Sequence, residues 1–157
     1  MSDNENSMLW GKSTWILFHT MAARISEDAY PKLYLQLLSI VKNICSNLPC
    51  PHCREHAVAW MIRVKSSGIT NKDLFISMLY QFHNSVNART GKPQFKHKSL
   101  EQYKKNNLGI ALQNFLTFFA RRYNGTIQAG IQSTEIKRRR IAISVKDWIE
   151  RNWTSFR

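Results

Sequence analysis

Apolar side chains recur along this chain at helical intervals. Trp15, Phe18, Ala22 and Ile25 fall near one face of a helix predicted from Ser13 to Arg24. A second helix is expected after Asp28, with Pro31 suited to its first turn. Leu33, Leu37, Ile40, Val41 and Ile44 follow at i, i+4, i+7, i+8 and i+11. A third begins near Pro49-Cys50-Pro51, carries Ala57, Trp60, Met61 and Val64, and ends by Gly68. A fourth is capped by Asn71 and carries Phe75, Met78, Leu79, Phe82 and Val86 until Gly91-Lys92-Pro93 stops it. Four such helices with short connections fit an all-α antiparallel bundle.

Beyond the bundle the pattern weakens. A short helical piece surrounds Glu101-Gln102-Tyr103, and an apolar helix is expected from Leu108 to Arg122. Asn124-Gly125 marks a turn, and residues 124–134 read as a loop. Ile141, Val145, Trp148 and Ile149 have helical spacing, yet 141–145 also alternates as a strand would. The expected organisation is a polar tail over 1–7, a bundle over 8–106, and a basic, mostly helical extension over 107–157.

A length of 157 residues leaves room for one domain and can bury a core without disulfides. Three cysteines make no disulfide scaffold, so disulfide chemistry here would be sparse and catalytic rather than structural. No run is long enough to span a membrane, and the polar start shows no secretory signal, so the expected location is cytoplasmic. The net charge of +13 is uneven. Residues 1–88 hold 8 Lys/Arg and 6 Asp/Glu, while residues 89–157 hold 15 and 4. The second half therefore favours an acidic partner or nucleic acid, for which Lys137-Arg138-Arg139-Arg140 is the candidate surface. A solvated helix face explains that run equally well.

The candidate chemistry centres on Cys50-Pro51-His52-Cys53. Two cysteines two residues apart at a helix start can form a readily reduced disulfide, and the helix N-terminus with nearby basic groups favours thiolate. Cys45, Cys50, Cys53 and His56 also have a spacing that zinc could use. Structural zinc usually joins separated segments, which weakens that reading. A second constellation favours redox chemistry. Trp15 and His19 stand at i, i+4 on one helix, and His83 and Asn87 stand at i, i+4 on another. Buried polar groups on facing helices need partners, and together these suggest a shared polar ligand inside the bundle.

Three motifs in order carry a resemblance. They are W-G-x3-W-x3-H from Trp10 to His19, C-x2-C at Cys50 and Cys53, and H-N-x-V-N with a following G-K-P from His83 to Pro93. On these the chain resembles the Erv/ALR family of FAD-dependent sulfhydryl oxidases, in particular the short forms of large DNA viruses. The resemblance implies a four-helix bundle, with a short fifth helix, holding FAD. Cys53 would meet the flavin ring, and Gly11, Trp15 and His19 would line its pocket. His83, Val86, Asn87 and Lys92 would hold the adenine end and phosphates, with Arg89 and Lys96 near by sequence. His56 is a further candidate contact, and Tyr103 stands where the family usually places a Trp against adenine. The implied reaction oxidises protein dithiols through Cys50 and Cys53 to FAD and then to O2, giving H2O2. Implied partners are protein dithiols or a thioredoxin-like redox protein, and a second copy in a homodimer.

Two departures stand out. A structural C-x16-C disulfide common in the family has Tyr80 and His97 at its positions, so packing has to hold residues 93–105. Cys45 is the one spare cysteine, so no intramolecular shuttle pair exists, and its place on the apolar stripe suits a buried structural thiol.

Overall fold

The computed structural model describes residues 3–121, 123 and 129–157. The all-α expectation holds. Helices α1 (Asp3–Arg24), α2 (Tyr30–Cys45), α3 (Pro51–Ile62) and α4 (Lys72–Thr90) are the four predicted from periodicity. A 3-10 segment, His97–Lys105, follows, then α5 (Leu108–Phe119) and α6 (Ala129–Arg151). Among the described residues the one β feature is an isolated antiparallel bridge between Ile25 and Phe156.

Local chemistry sets the helix ends. The Asn71 side chain accepts from the Leu74 N–H at 2.9 Å and opens α4. Gly91 closes it in the left-handed region, at φ 71, where a side chain would be strained. The Asn107 side chain accepts from the Ile110 N–H at 3.0 Å and opens α5. Cys50 itself caps α3, with extended backbone and its sulfur accepting from the Cys53 N–H at 3.3 Å.

Two expectations are corrected, and one alternative left open is decided for the helix. Helix α1 begins at Asp3 rather than near Ser13, so most of the expected polar tail is helical. The 141–145 alternation is not a strand, because that stretch lies inside α6 with Ile141, Val145, Trp148 and Ile149 buried. The expected loop over 124–134 is helical from Ala129 onward, and its residues 124–128 lie outside the described set.

The extension shares the core of the bundle. Leu108, Ala111, Leu112, Phe115 and Phe119 of α5 belong to the same buried cluster as Leu17 and Met21 of α1 and Leu79 of α4. Helix α5 lies along α1, and α6 packs on α5 and α2. The Trp148 indole donates to Gln36 at 2.7 Å, tying α6 to α2. Arg138 explains part of the basic run. It is only 3% exposed and donates to the Phe119 carbonyl at 3.0 Å and the Arg121 carbonyl at 3.3 Å. It therefore closes the carbonyl end of α5, while Lys137, Arg139 and Arg140 stay exposed.

Candidate active site

Helices α1 and α4 build the first half of the site. Their i, i+4 pairs bring Trp15 and His83 face to face, with ring centroids 4.0 Å apart and planes 5° from parallel. His19 lies beside them, its Nε2 2.9 Å from His83 Nδ1. One ring nitrogen donates and the other accepts, so the bond needs at least one neutral ring. Burial, reinforced by the neighbouring His83, lowers the His19 pKa to about 3. Burial, with Lys92 adding to it, lowers the His83 pKa to about 4. Both rings are therefore neutral at pH 7.

Residues 93–105 are held against this pair by packing. Phe95 stacks on His19 and His83, and Tyr103 stacks on His19 at 4.9 Å. The Asn84 side chain accepts from the Phe95 N–H at 2.7 Å and donates to the Phe95 carbonyl at 3.2 Å. Tyr80 and His97 meet edge to face with centroids 5.2 Å apart, an aromatic contact that helps to hold this segment on α4.

A cavity of about 1070 Å³ opens beside these rings. Trp15, Ile16, Phe82 and Val86 give it apolar surface, and Lys12, Arg89 and Lys92 give it three cations. No Asp or Glu stands among its described lining residues. Such a wall suits a ligand with a flat apolar part and an anionic part. Gly11 lies on it inside α1, and a Cβ there would meet no protein atom within 4 Å. A helical glycine is costly unless something needs the space, so its place points to a ligand. Apolar face, cations and open backbone together fit a flavin dinucleotide in size and donor set.

The dithiol sits at the edge of this cavity. Cys53 is on the wall, and Cys50 is off it, beside exposed Pro51 and His52. Both are free thiols, half-buried. The Arg54 guanidinium donates to the Leu48 carbonyl at 3.0 Å and pins the turn before α3. Arg89 Nη2 donates to Cys53 Sγ at 3.4 Å. Burial, seconded by the hydrogen bond from Cys50, nevertheless holds the Cys53 thiol above its ordinary pKa, with Arg89 pulling the other way. The expected lowering by helix and cations thus loses to desolvation at Cys53.

Most of the predicted site residues come together. Gly11, Trp15, Cys53, His83, Val86, Asn87, Lys92 and Tyr103 line the cavity. His19 stands behind the wall and orients His83. His56 is not on the wall, and its Nε2 is 3.2 Å from Ser85 Oγ. Lys96 is exposed and off it. Cys45 is buried, its pKa pushed up to about 12 by burial, and one side of it reaches the cavity. Among the described residues no three His, Cys, Asp or Glu are placed to hold a metal.

The pattern reading missed Lys12 and the α5 side of the cavity, where Asn106, Asn107, Ile110, Ala111 and Asn114 stand. Lys12 had a signal, since it lies three residues before Trp15 on one helix face. The α5 residues had none.

The sequence pattern of the Erv1 / Alr family matches residues 12–107. The chain is 35% identical over 91 residues to the 347L protein of Invertebrate iridescent virus 6, named provisionally as a FAD-linked sulfhydryl oxidase. That match covers 54% of this chain and 82% of that protein. It is 31% identical over 86 residues to the mitochondrial FAD-linked sulfhydryl oxidase erv1 of Schizosaccharomyces pombe, covering 54% of this chain and 47% of that one. It is 30% identical over 83 residues to the FAD-linked sulfhydryl oxidase of African swine fever virus, covering 53% and 69%. No solved structure matches the chain.

Proposed function

This chain belongs to the Erv1/Alr family, and from that premise we propose that it is a FAD-linked sulfhydryl oxidase with Cys50 and Cys53 as its redox pair. One observation carries the reading. Cys53 opens onto a cavity that combines aromatic faces with three cations and no described carboxylate. Trp15, Phe82 and Val86 offer apolar surface to the cofactor, and Lys12 and Lys92 offer charge to its pyrophosphate. His83, Asn87 and Tyr103 supply polar and stacking contacts. Bound FAD would take two electrons from a dithiol and hand them to oxygen, giving hydrogen peroxide.

The protein's own residues account for the thiol exchange. The working form carries a Cys50–Cys53 disulfide. A substrate thiolate attacks Cys50 Sγ, the sulfur away from the cavity, forming a mixed disulfide and releasing Cys53 as thiolate. The Arg89 guanidinium at 3.4 Å stabilises that leaving thiolate. A second substrate thiolate then attacks the substrate sulfur of the mixed disulfide. The substrate leaves oxidised, and Cys50 leaves reduced. Two electrons now reside on the dithiol, with Cys53 on the cofactor side. Substrates are protein dithiols or a separate redox protein, since Cys45 is buried on α2 and offers no shuttle pair.

Substitution of each sulfur tests this. Cys50→Ser and Cys53→Ser should each abolish dithiol-driven oxygen uptake while FAD stays bound. Normal oxygen uptake by either variant would remove the pair from the mechanism.

A further inference from the structure

The α5 side of the cavity lies outside the family match. That match ends at residue 107, yet Ile110, Ala111 and Asn114 still line the cavity, in company with Gly11 and Lys12 of α1. Both ends of α5 are anchored. At its start, the Asn106 side chain donates to Thr20 Oγ1 at 2.9 Å, and Arg24 donates to the Asn106 carbonyl at 3.2 Å. At its end, buried Arg138 holds the Phe119 carbonyl. With Asn106 beside Thr20, only an antiparallel course brings Asn114 back to the level of Lys12, because both helices advance about 1.5 Å per residue.

The side chains on this wall are not all occupied with holding the fold. Asn106 is used on Thr20 and Asn107 caps α5. Asn114, four residues beyond Ile110, is exposed, and its carboxamide has no protein hydrogen-bond partner among the described residues, so it is free to meet a ligand in the cavity it lines. Ile110 is 62% exposed at the cavity mouth, an apolar side chain with little protein against it. An unengaged amide and an uncovered isoleucine one helical turn apart face the same space.

We propose that α5 is part of the FAD site, with Ile110 packing on the bound cofactor and Asn114 hydrogen-bonding to its phosphate or sugar oxygens beside Lys12. This rests on the oxidase reading above. It gives the C-terminal part of the chain a purpose within the reaction: α5 closes the cofactor cavity, and Arg138 of α6 holds α5 in place.

The test is titration of FAD into the cofactor-stripped full chain, followed by flavin fluorescence, for the parent and for three variants. Asn114→Asp sets a carboxylate toward the phosphates, and Ile110→Ala removes the apolar contact. Gln113→Ala is the control, exposed on the same helix but off the cavity wall. Circular dichroism and melting of the stripped proteins check that all four fold alike. Expected is a Kd raised about tenfold or more for Asn114→Asp, from a lost hydrogen bond plus a like-charge contact. Ile110→Ala should raise it several-fold, and Gln113→Ala should leave it unchanged. If the parent binds FAD and Asn114→Asp and Ile110→Ala bind it equally well, the role of α5 is refuted and the oxidase reading stands. An equal loss in Gln113→Ala also refutes it. A parent that binds no FAD refutes both.

Discussion

Replacing Gly11 by alanine should separate folding from cofactor binding. Gly11 sits inside α1, and a Cβ built on it meets no protein atom within 4 Å. The backbone there has no positive φ to strain an alanine. The stripped protein should therefore gain about 0.5–1 kcal/mol, because alanine loses less chain entropy in a helix than glycine. For a chain of this length, that raises the melting temperature by about 1–4 °C. The same methyl group intrudes on the cavity that Gly11 lines. FAD at about a hundred times its Kd should stabilise the parent by about 2.7 kcal/mol. In Gly11→Ala that increment should shrink by about 1 kcal/mol or more, the usual cost of overpacking a close contact. Melting curves of both proteins, with and without FAD, read the two effects independently. A variant that melts higher without FAD and gains as much from FAD as the parent would refute the placement of the cofactor against Gly11. A variant that melts lower without FAD would refute the open-space reading of Gly11.

The neutral histidine pair predicts an acid-sensitive fold. His19 and His83 have pKa values of about 3 and about 4 in the folded chain, below the ordinary value near 6.5. Below pH 6.5 the unfolded chain binds more protons, so stability falls as the pH drops toward 3. His19 alone should contribute a loss of roughly 2 kcal/mol between pH 7 and pH 5. Urea midpoints measured on the stripped protein should follow that slope, and a level profile between pH 7 and pH 5 would contradict the neutral pair. Arg138→Ala should lower stability by about 1–3 kcal/mol, because the buried Phe119 carbonyl and the partly buried Arg121 carbonyl lose their donor. Arg140→Ala, at an exposed position, should stay within about 0.5 kcal/mol of the parent. Equal melting shifts for these two arginines would refute the capping role of Arg138.

Sequence patterns revealed much of this site because its central groups repeat at short range. Trp15 with His19, and His83 with Asn87, are i, i+4 pairs, and a helix brings such pairs to one face whatever surrounds it. Cys50 and Cys53 lie in one helical turn, so their proximity needs no tertiary information. Other features depend on phase or on packing. The run from Lys137 to Arg140 looks uniformly basic, yet Arg138 continues the stripe of Ile141 and Val145 at i, i+3 and i+7, and that phase buries it. The start of α1 was not legible, because residues 3–7 carry no apolar periodicity. The wall formed by α5 was not legible either. An apolar stripe such as Leu108, Leu112 and Phe115 marks the face that meets the core, but says nothing about which neighbour the adjoining face leaves room for. The pKa of Cys53 was misjudged for a related reason. Helix start and cations can be read from order in the chain, whereas desolvation arises only when the cavity wall assembles.

The central claim is that Cys50 and Cys53 pass electrons from dithiols to FAD held in the cavity beside them. The most direct measurement is the visible absorption of the purified protein, before and after addition of a dithiol under air, with oxygen uptake followed at the same time. A flavin spectrum should be present, bleach when the dithiol is added, and return as oxygen is consumed. A protein that stays colourless and takes up no oxygen when supplied with both FAD and a dithiol would contradict the claim.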